Sequence, residues 1–133
     1  MVERTESNVT EFIGQVVSVD KQPSSLDENR ECFHIQIDAK DIEVKGVTGY
    51  MHEYFNIPAT ATEESVPDGS VLDKFLTELE VLDKKLKKVD KVSDALKWLE
   101  GKTFKFVKKK LGRAYDGHEA REYWTPIQIV EEK

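Results

Sequence analysis

The side chains best suited to hold a ligand in this sequence are basic and aromatic. Residues 84–113 carry twelve lysines and arginines against Asp90, Asp94 and Glu100, beginning with Lys84, Lys85, Lys87, Lys88 and Lys91. Phosphate groups supply salt-sensitive attraction to such a run, and unpaired bases stack on exposed rings for about 1 to 3 kcal/mol each, so lysines beside outward aromatics suit a single strand of nucleic acid. Tyr50, Tyr54, Tyr115 and Trp124 are the rings whose alternation along strands permits outward placement. The same lysines also suit a solvated helix face and an edge strand guarded against pairing with its neighbours.

Other chemistry finds little support. Cys32 and His34 stand two apart on one strand face and His52 falls on the following strand, but without a CxxC pair or a second cysteine no metal site is expected. Nucleophilic catalysis lacks a GxSxG elbow and a fixed partner for Cys32. None of the seven glycines belongs to GxGxxG or GxxxxGK[ST], so no phosphate loop is present. The expectation is a binding protein with no catalytic residues and no cofactor.

A chain of 133 residues fits one domain able to bury a core unaided. Its formal net charge of −6 conceals a division: residues 1–83 hold 6 basic against 18 acidic side chains, and residues 84–133 hold 14 against 8. With a Debye length of about 8 Å at physiological salt, a basic face attracts anions even when an acidic one lies behind it. One cysteine closes no disulfide within the chain, and MVERTESNVTEF has neither the basic start nor the apolar run of a signal peptide. The cytoplasm is the expected compartment. No apolar stretch approaches the roughly 18 to 20 residues of a spanning helix, so no membrane partner is expected.

The elements that must position these residues alternate apolar and polar positions. Residues 1–10 read as a flexible lead. Strands are predicted over residues 11–20, 31–39 (Phe33, Ile35 and Ile37 on one face) and 43–57, where Gly46 and Gly49 permit a bend. Residues 21–30 read as a loop and residues 58–69 as another. Ser70, with Asp73 three residues on, caps a helix predicted over residues 70–89 with apolar positions at spacings of 3 and 4, and a shorter helix is predicted over residues 93–101.

Asp116-Gly117 is a preferred two-residue turn between extended segments 102–115 and 118–130. Pairing Tyr115 with His118 sets Phe104 opposite Ile129 and Phe106 opposite Ile127 on one face. It sets Lys105 opposite Gln128, Lys109 opposite Trp124 and Arg113 opposite Ala120 on the other. Pro126 then faces Val107, with its donorless side outward or at a bulge.

The resulting order, β-β-β-α(α)-β-β, is that of a mainly β protein built on a five-stranded barrel with a helical insertion at residues 70–100. It resembles the OB-fold over residues 11–130, and in layout it is similar to the single-stranded DNA-binding proteins of archaea and phages. The insertion is longer than a minimal OB barrel's single helix, and the N-terminal half is acidic. The resemblance implies a closed barrel, a role in DNA replication or repair, and a binding surface on the second and third strands and on the loops 1–2 and 4–5. On that basis the binding residues are Lys105, Lys108, Lys109, Lys110, Arg113, Tyr115, Arg121 and Trp124 on the final ribbon, with Tyr50 and His52 beside them. Single-stranded nucleic acid, DNA ahead of RNA and without sequence preference, is the expected partner. The rival reading is a protein-interaction module or accessory subunit that docks through its acidic half or through the leucine stripe of residues 70–89.

Overall fold

The computed structural model describes residues 2–4, 10–23, 30–39, 42–44, 50–58, 61–111 and 121–131. In chain order these form strands β1 (Val2–Arg4), β2 (Glu11–Pro23), β3 (Glu31–Ala39), β4 (Ile42–Val44) and β5 (Tyr50–Asn56), then helix α1 (Val71–Leu82), a 3₁₀ turn (Lys84–Lys88) and helix α2 (Val92–Lys97), and finally strands β6 (Thr103–Lys110) and β7 (Glu122–Val130). Five antiparallel strands make one sheet in the order β5-β3-β2-β6-β7. After the helices, β6 returns to lie beside β2, the first of three consecutive antiparallel strands, which is a Greek key. Among the described residues no ladder joins β5 to β7, so the sheet is open where a closed barrel was expected.

The first predicted strand runs on through residues 21–23, with Lys21 opposite Phe33 and Pro23 opposite Glu31. A bulge between Val16 and Ser18 reverses its phase, which is why Phe12, Val16 and Val19 are all buried while Val17 is exposed. Gly14 sits where the sheet is tightest: a Cβ there would stand 2.6 Å from Ile37 Cγ2 and 2.8 Å from Phe12 Cε2. The single strand predicted over residues 43–57 is two. Its first part, β4, pairs in parallel with β1, inside the predicted flexible lead, and only β5 joins the main sheet. Gly46 and Gly49 lie outside the described residues.

The predicted long helix also divides. Ser70 caps α1 by accepting the Asp73 N–H at 3.2 Å, but Asp83 takes an extended conformation and caps the 3₁₀ turn instead, accepting the Lys85 N–H at 2.9 Å. Leu72, Phe75, Leu79 and Leu86 are buried throughout, so the leucine stripe of the rival reading belongs to the core. The shorter helix is followed by a turn that closes at Gly101, φ 82°. That turn is stitched to β2 where β6 leaves it: Gly101 N–H donates to Val16 O at 2.9 Å, and Val19 N–H donates to Glu100 at 3.0 Å.

In the final pair the predicted register holds for Phe104 with Ile129 and Lys105 with Gln128, then slips by one residue. Phe106 faces Pro126, not Ile127; Val107 faces Thr125; and Lys108, not Lys109, faces Trp124. Pro126 has no N–H to give, so the ladder is interrupted there and Ile127 is the extra residue. The Asp116-Gly117 turn, and the pairings of Tyr115 with His118 and of Arg113 with Ala120, fall outside the described residues.

The connection before α1 is anchored by Glu63, which accepts from the Ser93 hydroxyl at 3.0 Å and approaches Lys21 at 3.6 Å. Desolvation alone would raise its pKa, but the Ser93 hydrogen bonds and Lys21 outweigh that and hold it below the ordinary 4.5. A carboxyl lowered on folding stabilises above its unfolded value and stops doing so as pH falls through its folded value. Because Glu63 is partly solvated, Ser93→Ala is expected to cost no more than about 1 kcal/mol near neutral pH. Urea unfolding should show the gap between the two proteins closing in acid, once Glu63 is protonated.

Candidate nucleic-acid interface

The two sheet edges meet across one carboxylate. Glu53 lies on the inward phase of β5 between Met51 and Phe55, and is only 3% exposed. Its Oε1 accepts the N–H of Tyr54 on its own strand at 3.0 Å and a guanidinium N–H of Arg121 at 2.7 Å. Its Oε2 accepts the N–H of Trp124 on β7 at 3.0 Å. Edge donors that a backbone ladder would otherwise satisfy are therefore taken up by a side chain. Phe55 stacks on Tyr123 at 5.1 Å and against Phe75 of α1 at 4.2 Å, so aromatic rings and the helix cover the same seam.

On the solvent side of β3 and β5 the outward residues form an aromatic strip. Tyr50, His52 and Tyr54 alternate along β5 and all three are exposed, the tyrosines at 54% and 40%. His34, opposite Tyr54 on β3, stacks on it with centroids 4.8 Å apart and on His52 at 5.1 Å. His34 Nε2 and His52 Nδ1 share a hydrogen bond of 2.8 Å, and His34 Nδ1 is 3.3 Å from Asp20 on β2. The β3 and β5 backbones hold these rings in a fixed row, which suits planar partners stacked one after another.

The basic residues are distributed differently. Arg121 is exposed, lies over the Tyr123 ring at 4.3 Å, and shares Glu53 Oε1 with the backbone N–H of Tyr54, so its guanidinium sits at the seam beside β5. Lys110 is exposed near the end of β6. Lys105 is paired with Glu11 at 3.5 Å and Lys109 with Glu78 at 2.8 Å. Lys108 lies over Trp124 at 5.1 Å. In the sheet order β3 and β2 lie between β5 and β6. Trp124, expected as an outward platform, is instead buried at 4% with its ring edge-on to Phe12 at 4.8 Å. The slip at Pro126 moved it to the face that carries Phe106. Arg113 and Tyr115 lie outside the described residues. The structure thus sets Tyr50 and His52 of the predicted site side by side on the outward face of β5, and Arg121 on Glu53 at the seam.

His34 and Glu53 are the residues that sequence reasoning left out of the site. Glu53 was signalled by its phase, a carboxylate between apolar Met51 and Phe55. His34 was signalled by alternation with Phe33 and Ile35. Burial, reinforced by Asp20, pushes the Cys32 thiol up against an opposing hydrogen bond from Gln22, which makes it a poor nucleophile. Among the described residues no three His, Cys, Asp or Glu side chains stand together as metal ligands. No helix among them is long and apolar enough to cross a membrane. A crevice of about 180 Å³ between α1 and α2 has a rim of mixed charge, Glu63, Glu64, Glu80 and Asp90 with Lys87 and Lys91. Comparison of the chain with protein-family models and with curated proteins gives no match.

Removing the Glu53 carboxylate leaves two edge N–H groups and a guanidinium without their acceptor. Glu53→Leu is expected to destabilise by about 2 to 4 kcal/mol. Arg121→Gln, which removes only a half-exposed partner, should cost under about 1 kcal/mol. Denaturant midpoints of the two variants check the order.

Proposed function

We propose that this protein binds single-stranded nucleic acid, DNA ahead of RNA, on the β3–β5 face, and that it is an OB-like binding domain without catalytic activity. The observation that carries the reading is the row of exposed rings Tyr50, His52 and Tyr54, backed by stacked His34. Two further features support it. The Greek-key order with an open seam matches a partly open five-stranded barrel, in which the second and third strands form the binding face. Arg121 adds a positive charge beside β5, its guanidinium lying over Tyr123 and sharing Glu53 Oε1 with the Tyr54 N–H.

The contribution of charge is smaller than the sequence suggests. Lys105 and Lys109 are neutralised by Glu11 and Glu78, and Asp20 flanks the strip itself. Arg121 is likewise paired, with Glu53, so stacking supplies most of the affinity and phosphate contacts are few.

Fluorescence anisotropy of a labelled oligothymidylate, with a duplex control, tests this. Single-strand binding should be tighter than duplex binding, with a shallow salt slope of about −0.7 for each phosphate contact. Tyr54→Ala and Tyr50→Ala should each weaken it by about five- to a hundredfold. Absence of binding at low salt, or full affinity in the double tyrosine variant, would contradict the proposal.

A further inference from the structure

The geometry points to a proton-gated phosphate contact at the His34–His52 pair, so that the β3–β5 face grips a single strand more tightly as pH falls. This rests on the proposed nucleic-acid reading and adds to it a subsite and its regulation.

The hydrogen bonds dictate the protonation pattern. With both rings neutral, His34 presents Nδ1–H toward Asp20 at 3.3 Å, and its Nε2 accepts Nδ1–H of His52 at 2.8 Å. His52 Nε2 is then a bare lone pair on an exposed side chain. One added proton goes to that outward nitrogen without breaking either bond, turning an acceptor into a charged donor. Its positive charge is shared along the N–H···N contact with His34, which Asp20 backs. A second proton is opposed, because both facing nitrogens would carry hydrogens across 2.8 Å. The cluster is thus built to take up one proton and display it outward.

The charges around the pair explain why that proton matters. Asp20 on β2 and Asp38 on β3 border the strip, while its own strand contributes only Tyr50 and Tyr54. At neutral histidine the face is anionic and favours bases over phosphate. With His52 charged, half of that negative charge is offset, and a phosphate joining stacked bases gains a charged donor between the two tyrosines. Binding then takes up a proton, so affinity must rise as pH falls.

The test is anisotropy titration of the intact protein with oligothymidylate, whose bases do not titrate there, at about pH 8 and about pH 5.5. Affinity is expected to rise about three- to fivefold at the lower pH. The log–log salt slope should steepen by about 0.7, the signature of one added phosphate contact. His52→Gln should abolish both changes, and His118→Gln should leave both in place. Binding that stays independent of pH in affinity and slope, or a pH response that survives in His52→Gln, overturns this inference while leaving the nucleic-acid reading standing. No binding at either pH in low salt overturns both.

Discussion

The fold depends on a carboxylate standing where a sheet fails to close. β5 and β7 end the five-stranded order, and Glu53 gives one oxygen to Tyr54 and Arg121 and the other to Trp124. An ionised group in the interior is tolerable only when its lone pairs are filled, and here backbone donors from both edges and a guanidinium fill them. The seam is accordingly specific: an apolar side chain would bury as well but would leave the edge N–H groups unanswered. Phe55 stacks on Tyr123 and against Phe75 at the same seam, and α1 lies over the junction, with Lys109 bound to Glu78 along its flank.

That arrangement positions the candidate surface. Glu53 turns inward, so the alternation of β5 turns Tyr50, His52 and Tyr54 outward. Arg121 comes to the β5 edge because its partner is the same buried carboxylate, next to the Trp124 N–H and the Phe55–Tyr123 stack that join the same two edges. Stability and site geometry therefore share one residue, while Lys105 and Lys109 on β6 are paired with Glu11 and Glu78.

Much of this was legible in the sequence. Period-two alternation located the strands of the main sheet, and the Ser70 cap with its leucine spacing located α1, because both signals are local. What failed depended on partners distant in the chain or on single residues that break a local pattern. Trp124 was read as outward from a register propagated back from Asp116-Gly117, and a single bulge at a proline that cannot donate was enough to turn it inward. The helix over residues 70–89 broke at Asp83 because a side chain that caps competes with one that continues. The lysine run is visible in sequence, but the pairing that neutralises part of it joins β6 to β2 and to α1. Glu53 was readable as a carboxylate in an apolar phase, yet its acceptors' role exists only once β5 and β7 approach.

The measurement that tests the central claim most directly is a backbone amide NMR titration of the protein with oligothymidylate. The account predicts perturbations concentrated on Tyr50, His52, Tyr54, His34 and Arg121. Shifts centred on the lysines of the 3₁₀ turn, with the β3–β5 face unmoved, would contradict it.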